Sequence, residues 1–267
     1  MWNLSFISEE NFTKHVYQTI RQYSDKLYPI DLKKFNNNFV DPIKLIFDKY
    51  TYDYSWDQII KNEIYRQRDK SNNNNIGYFH QKIFQYIKDC QVPKKGWDVI
   101  YNTGNKIKIG DLDAVNTIYA ELKNKHNIMN SSSAQKTFTK MQSQLLADDN
   151  CACFLVEVIA KKSQNISWNI TVDGKKLNPH GRIRRISIDR FYEIVTGKKD
   201  AFYQVCMVLP KIIGKIISNT DVVKIPEDTV IQELESIPNV RKENSFIFSL
   251  YLLGFANYIG FSSGTRE

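Results

Sequence analysis

The sequence predicts an α/β (α+β) fold in which a mixed central sheet is flanked by helices. Three observations support it: helical periodicity before residue 90, strand-like alternation between about 97 and 123, and the apolar run from Cys151 to Ile159. Apolar residues every three to four positions indicate helices, and alternation indicates strands with one buried face. A nearly continuous apolar run is typical of a central strand covered on both faces.

The ends of the chain carry mostly helical patterns. We expect a mainly helical region over 1–75 that serves dimerisation or embraces DNA, and Ser71–Asn75 should form a polar loop within it. The core spans 76–220, and a helical extension over 221–267 should pack on that core. This division predicts one large core with helical N- and C-terminal additions.

Turn-forming residues divide the first strands of the core. Trp97–Tyr101 begins a strand, Asn102–Asn105 resembles a tight turn, and Lys106–Ile109 alternates as a second strand. A short hairpin follows, with Asn116-Thr117 as its turn, and it leads into Glu121-Leu122-Lys123. The pattern therefore predicts three short strands before the next helix.

The patterns of secondary structure after Lys123 are clearer. A helix is expected from about 134 to 146, with Ser131, Ser132 or Ser133 as its N-cap, followed by the apolar strand 151–159. Asp173-Gly174 between two short strands indicates a hairpin. Residues 182–188 alternate as a strand, and the next helix ends at Gly197.

Composition limits the class of partner. The 267 residues include 37 basic and 29 acidic side chains, giving a net charge of +8. Such an excess favours a polyanionic partner, nucleic acid before an anionic membrane.

No apolar run reaches about 18 residues, so we expect no transmembrane helix and no membrane partner. The N-terminus lacks the pattern of a signal peptide, and the scattered cysteines without metal spacing indicate reduced thiols. We expect a cytoplasmic protein of a bacterial cell.

The chemistry is expected at the end of the third strand. Side chains two residues apart share one face of a strand, so Glu121 and Lys123 point the same way. The predicted hairpin brings Asp113 beside Glu121. Two carboxylates with a lysine at their edge hold a hard divalent cation and place an ammonium beside the water it activates. Taken alone, the same pattern also fits a half-buried strand with a surface Glu and Lys.

Four segments make a family resemblance specific. The order of helix, three strands with E-x-K, helix and buried strand resembles the PD-(D/E)xK nuclease core. Residues 121–137, 153–165, 182–187 and 191–197 resemble the type II restriction endonucleases that read GGNCC. The resemblance covers roughly 76–210.

This resemblance implies a homodimeric enzyme that depends on Mg²⁺, with Mn²⁺ as a substitute. It would cut both strands of double-stranded DNA at a short palindrome and leave 5′-phosphates. As part of a restriction-modification system, it would share its site with a cognate DNA methyltransferase.

The resemblance also assigns roles to residues. Asp113, Glu121 and the backbone carbonyl of Leu122 would bind the metal, and Lys123 would orient or deprotonate the attacking water. The family motif begins with a Pro-Asp pair, which this chain lacks. Asp113 fits best because two apolar residues follow it, and Asp111 and then Asp98 are the alternatives.

Polar and basic side chains around this strand are expected to contact DNA. Gln81, or His80 beside it, is a candidate for the outer shell of the metal. Arginines pair bidentately with guanine, and amides, hydroxyls and lysines bond base edges or phosphates. The candidates for DNA contact are Lys125, His126, Asn127, Asn130, Ser131, Ser132, Ser133, Gln135, Lys136, Lys161, Lys162, Arg182, Arg184 and Arg185.

Two other functions remain open at this point. The first is a different nuclease on the same core, such as a repair or junction-resolving enzyme. The second is a basic DNA-binding protein without catalytic activity, which the presence of Asp113, Glu121 and Lys123 argues against.

Overall fold

The structure is a computed structural model that describes residues 2–24, 29–37, 39–109, 114–126, 129–172, 174–219, 227–237 and 245–255. A central sheet is flanked by helices, as the sequence predicted. The helices are α1 (Glu9–Ser24), α2 (Leu32–Asn36), α3 (Pro42–Tyr52), α4 (Trp56–Lys82), α5 (Ser131–Ala147), α6 (Ile188–Thr196), α7 (Ala201–Ser218), α8 (Val230–Ser236) and α9 (Ser245–Phe255).

The strands form one mixed sheet and one small hairpin. They are β1 (Cys90–Gln91), β2 (Val99–Ile107), β3 (Val115–Lys125), β4 (Cys151–Ile159), β5 (Asn165–Ser167), β6 (Thr171–Val172), β7 (Lys175–Lys176) and β8 (Ile183–Ser187). The sheet order is β1-β2-β3-β4-β8-β5. Neighbours β3 and β4, and β4 and β8, are parallel, whereas the other pairs are antiparallel. The predicted mixed sheet is therefore confirmed.

Strand β4 lies at the centre of this sheet, as its apolar sequence predicted. Its first seven residues are buried, and it pairs on both sides. Parallel strands need a crossover connection, and helix α5, which lies between β3 and β4 in the chain, provides it. The predicted hairpin at Gly174 is also confirmed, because β6 pairs antiparallel with β7.

Two predicted turns are wrong. Strand β2 continues through Asn102 and Gly104, where Asn102 Oδ1 accepts the Gly104 N–H at 2.8 Å and the register shifts. Gly104 has φ +71°, so these turn-forming residues make a bulge instead of reversing the chain. Strand β3 likewise continues through Asn116 and Thr117, and Thr117 pairs with both Asn102 and Cys151. One long β2–β3 ladder replaces the predicted short strands.

The predicted loop at Ser71–Asn75 is also wrong. Helix α4 runs through it without a break, and Asn75 is buried. Asn and Ser cost a helix only a fraction of a kcal/mol each, so neighbouring turns and packing override their turn preference. A short 3₁₀ helix, Ile83–Tyr86, follows α4 and brings Phe84 into the core.

The described residues divide into two compact units. The first contains 1–20 and 74–221, and the second contains 21–73 and 222–267. The limits of the first unit lie close to the predicted core limits of 76 and 220. The described residues of 1–20 belong to the first unit, and those of 222–267 belong to the second unit with 21–73, while the three predicted segments stay a prediction. Within the second unit, Phe35, Ile60, Val230 and Leu250 share one buried apolar cluster.

Helix α7 is the one described helix that is long and apolar enough, by length and composition alone, to cross a membrane. This is weak evidence, because the core helix of a soluble protein passes the same test. Ala201, Val205, Ile212 and Ile216 on this helix belong to the main apolar core of the first unit.

Candidate functional site

Glu121 and Lys123 lie on one face of β3 and form an ion pair. The Lys123 ammonium donates to Glu121 Oε1 at 3.0 Å, and their side chains are 25% and 16% exposed respectively. Leu122 lies between them and packs on the opposite face, against the main core. The two residues therefore share a face, in the arrangement that strand alternation predicted.

Asp98, the residue immediately before β2, lies across from Glu121. The antiparallel register pairs Val99 with Ala120, so the residue before Val99 and the residue after Ala120, Asp98 and Glu121, are opposite each other. The Asp98 N–H donates to the Ala120 carbonyl at 3.1 Å, and Asp98 Oδ2 accepts the Leu122 N–H at 2.7 Å. Side chains directly opposite in an antiparallel ladder share a face. Strand pairing thus brings two carboxylates together from positions far apart in the chain.

Gln81 reaches this pair from helix α4. Its Nε2 donates to Asp98 Oδ1 at 3.0 Å, so both carboxylate oxygens of Asp98 are held. Burial, and then nearby His15, lower the pKa of its neighbour His80 to about 4, so that the His80 ring is neutral at neutral pH. The other predicted metal ligands, Asp111 and Asp113, lie outside the described residues, as does Asn127.

The two carboxylates have opposite electrostatic environments. Burial, and then the charge of Glu121, raise the pKa of Asp98 above its ordinary value. Burial also acts to raise the pKa of Glu121, but the ammonium groups of Lys140 and Lys123 outweigh it and lower this pKa. Glu121 is therefore firmly anionic at neutral pH, while Asp98 is the more basic of the pair.

Lys140 is a member of the site that the sequence did not predict. It comes from helix α5, and its ammonium donates to Glu121 Oε2 at 2.7 Å and to the Gly96 carbonyl at 2.6 Å. It also lies 4.1 Å from the centre of the Trp97 ring. Lys136 and Lys140 share a polar face of this helix, and that pattern was the available signal. The partner of Lys140 was not predictable without the tertiary packing.

Helix α5 also holds the residue that precedes Asp98. Trp97 Nε1 donates to Gln144 Oε1 at 3.1 Å, and the Trp97 ring packs 5.5 Å from that of Tyr119. Gln144 follows Lys140 by one helical turn, so both side chains reach the segment that enters β2. The position of Asp98 therefore depends on α5 as well as on the strand ladder.

A third carboxylate lies next to the site. Glu157 on β4 pairs with Lys123 in the parallel register, and its side chain is 1% exposed. Arg185 donates its Nε to Glu157 Oε1 at 2.8 Å and its Nη2 to the His126 carbonyl at 2.9 Å. Glu157 Oε2 is buried and has no hydrogen-bond partner among the described residues. Arg185 thus ties β4 to the end of β3.

The other predicted arginines also bond within the protein. Arg184 is buried and donates to Asn165 Oδ1 at 2.5 Å and to the Asn165 carbonyl at 2.8 Å. Arg182 Nη1 donates to the Asp149 carbonyl. Base reading by these three arginines stays a prediction, and for Arg184 it requires release of a buried side chain.

The remaining candidates for DNA contact lie at the end of β3, just after β4 and at the start of α5. Several are exposed, while His126 and Ser133 are partly buried; the exposed ones are Lys125, Asn130, Ser131, Ser132, Gln135, Lys136, Lys161 and Lys162. The predicted serine N-cap is wrong, because Asn130 caps α5 and its Oδ1 accepts the Ser133 N–H at 2.8 Å. The asparagine is preferred here because its short side chain reaches the free amides of the first turn. The three serines are left as the first helical residues.

The donor set fits a hard cation. Asp98 and Glu121 supply carboxylate oxygens, and the Leu122 carbonyl is the adjacent backbone oxygen; Mg²⁺ prefers one or two carboxylates with water and phosphate oxygens. No group of three or more His, Cys, Asp or Glu residues suited to a metal occurs in the described part of the chain. The site therefore resembles one that a substrate oxygen completes. Lys123 and Lys140 both pair with Glu121, so each of its carboxylate oxygens contacts a cation.

Most of the chain is similar to known restriction endonucleases. The model of the Eco47II restriction endonuclease family matches residues 4–218. The type II restriction enzyme Sau96I of Staphylococcus aureus is 31% identical over 214 residues, which are 78% of each protein. The type II restriction enzyme Eco47II of Escherichia coli is 27% identical over 226 residues, which are 80% of this chain and 88% of that enzyme. The matched region includes Asp98, Glu121, Lys123 and Lys140.

Proposed function

The chain belongs to the Eco47II restriction endonuclease family, and on that premise we propose that it cuts double-stranded DNA at a short GGNCC-like palindrome. The observation that carries the proposal is that Asp98, Glu121 and Lys123 lie close together where β2 begins and β3 approaches its end, within the matched region. The net charge of +8 supports a polyanionic substrate. The GGNCC-like site rests on the resemblance of residues 121–137 to enzymes that read that sequence.

We assign the first metal-binding position to Asp98 rather than to Asp113. Asp98 is held opposite Glu121 by strand pairing and by bonds from Gln81 and Leu122. Asp98, Glu121 and the Leu122 carbonyl would hold Mg²⁺, or Mn²⁺ in its place, which supplies Lewis-acid polarisation of the scissile phosphate and of a bound water.

Lys123 acts on the attacking water and on the phosphate. Its ammonium lies on the same strand face as Glu121, where it would orient the water and offset the negative charge that develops on the phosphate. As the neutral amine, Lys123 would instead accept the proton that the attacking water loses. The water oxygen forms a bond to phosphorus while the bond from phosphorus to the 3′-oxygen breaks. The 3′-oxygen takes up a proton, so the products carry a 5′-phosphate and a 3′-hydroxyl.

A palindromic site implies a symmetric enzyme. Two copies related by a two-fold axis would each present one active site to one strand, so we propose a homodimer. A cognate DNA methyltransferase would act on the same sequence to protect the host DNA, without any need to bind this protein.

Plasmid DNA tests the proposal. The parent protein with Mg²⁺ should give discrete bands with 5′-phosphate ends, and Lys123→Ala should lose cleavage by at least about a thousandfold while DNA binding in a gel shift is retained. A smear or cuts at branched structures would indicate a repair or junction-resolving nuclease instead. A shift without cleavage by the parent would indicate a non-catalytic DNA-binding protein. Retained cleavage by Lys123→Ala would remove this lysine from the mechanism.

The assignment of Asp98 is tested by a matched pair of variants. Asp98→Asn should abolish cleavage, because it removes a carboxylate beside Glu121 without changing shape, whereas Asp113→Asn should still cleave. Circular dichroism of both proteins checks that the fold is intact. The opposite ranking would return the assignment to Asp113.

A further inference from the structure

Both carboxylate oxygens of Glu121 are bonded to ammonium groups. Lys123 donates to Oε1 at 3.0 Å, and Lys140 donates to Oε2 at 2.7 Å. A divalent ion and an ammonium repel each other strongly when both contact one carboxylate oxygen, since the protein interior screens charge less than water does. At least one lysine must therefore give up its oxygen before Glu121 can bind a metal.

The two lysines are anchored differently. Lys123 lies two residues from Glu121 on the same strand and stays at the site whichever partner it has. Lys140 reaches the site from α5 and also contacts the Gly96 carbonyl at 2.6 Å and the face of Trp97 at 4.1 Å. If Lys140 leaves Glu121, it keeps a carbonyl acceptor and an aromatic ring, which is a favourable setting for a cation.

We infer that Lys140 is the resident cation of this site: it holds Oε2 of Glu121 until a divalent ion displaces it onto Gly96 and Trp97. The inference rests on the proposed function, because it takes Glu121 as a metal ligand. Lys140 is then a positioning residue. It balances the charge of Glu121 and fixes the segment before Asp98 while no metal is bound, and it competes with the metal for one oxygen.

Competition predicts that removal of Lys140 strengthens metal binding. Mn²⁺ binding to the full chain without DNA is measured by electron paramagnetic resonance for the parent, Lys140→Met, Lys140→Arg and Lys211→Met. Lys211 is an exposed lysine on α7, so its substitution is the matched control for charge. We expect Lys140→Met to lower Kd about tenfold or more, because it removes a positive charge at contact distance. Lys140→Arg and Lys211→Met should remain within about twofold of the parent.

The outcomes separate this inference from the proposed function. If Lys140→Met binds Mn²⁺ no more tightly than Lys211→Met, the competition is refuted and Lys140 only supports the fold. If Glu121→Gln binds Mn²⁺ as the parent does, Glu121 is not a ligand and the proposed metal site itself fails. Tight binding by Lys140→Met together with loss in Glu121→Gln supports both.

A second measurement needs no substitution that affects the fold. In the parent protein labelled at lysine nitrogen, the ammonium signal of Lys140, assigned from the spectrum of Lys140→Arg, should shift as Mg²⁺ is added. The signal of Lys211 serves as the reference and should stay in place. An unchanged Lys140 signal at saturating Mg²⁺ would overturn the inference.

Discussion

The two faces of strands β3 and β4 differ in what they do for the protein. One face carries Ile118, Ala120, Phe154 and Val156, all of them fully buried in the main core. The other face begins apolar, with Cys153 and Leu155, and ends in charged residues at the carboxyl ends of the two strands. Because alternate residues point to opposite faces, one pair of strands serves both purposes within a few residues.

The contrast between the two faces shows that charged residues can occupy one face of β3 and β4 while the opposite face keeps the apolar core intact. The apolar face provides stability through burial that scales with area, whereas the charged face places few groups at fixed positions on a rigid support. Substitutions on the two faces should therefore separate stability from activity.

The largest effect on stability is expected at Phe154. Phe154→Ala should lower the free energy of unfolding by about 3–5 kcal/mol, because it removes a fully buried ring that packs against Phe191. Urea denaturation measures the loss, and Glu121→Gln on the other face is the control, with a smaller change in stability but loss of cleavage. Equal destabilisation by both variants would contradict the separation of the faces.

Arg185 is expected to be an exception to this separation of the two faces. It is charged, but its substitution should reduce the free energy of unfolding as much as that of a core residue. Arg185→Ala should cost about 3 kcal/mol, since it leaves the buried Glu157 carboxylate without its partner. Removing Glu157 as well relieves the unpaired charge, so the double variant Arg185→Ala/Glu157→Ala should be more stable than Arg185→Ala. Thermal unfolding of the three proteins measures this, and a double variant that is less stable would show that the pair does not behave as a unit.

The smallest effect is a pH dependence with opposite signs at Asp98 and Glu121. The pKa of Asp98 is raised from 3.8 by burial and then by Glu121, so its contribution to stability is lost as the pH rises through its folded-state pKa. The pKa of Glu121 is lowered from 4.5 because Lys140 and Lys123 outweigh burial. Its contribution is therefore present above pH 4.5 and lost as the pH falls through its lower folded-state pKa.

Unfolding of metal-free protein between about pH 3 and 8 tests these signs. Relative to the parent, Asp98→Asn should gain stability as the pH rises above 3.8, whereas Glu121→Gln should be less stable by a constant amount above pH 4.5, and this deficit should shrink as the pH falls below 4.5. If both variants changed in stability in the same direction, the pKa of either Asp98 or Glu121 would be shifted in the direction opposite to the one described.

Local patterns predicted the central strand, helix α5 and the mixed sheet, but they missed the length of β2, β3 and α4 and the partners of the site residues. Glu121 and Lys123 are two positions apart on one strand, so alternation alone sets their relation. Asp98 reaches Glu121 only through the β2–β3 register, and turn-forming residues at Asn102–Asn105 and Asn116 concealed the length of that ladder. Lys140 and Glu157 arrive from other elements, and their contacts depend on helix packing and parallel pairing, which no short segment of sequence encodes.

The outer strands of the sheet limit how copies of this protein can associate. Strand β1 is two residues long and covers only Ile100 and Tyr101 of β2, and β5 is three residues long, so these two outermost strands themselves expose few backbone groups. A second chain that extended the sheet at either edge would gain only a short ladder, and short edge strands are a common protection against aggregation. The two outermost strands are therefore poor sites for the addition of a second copy by backbone pairing.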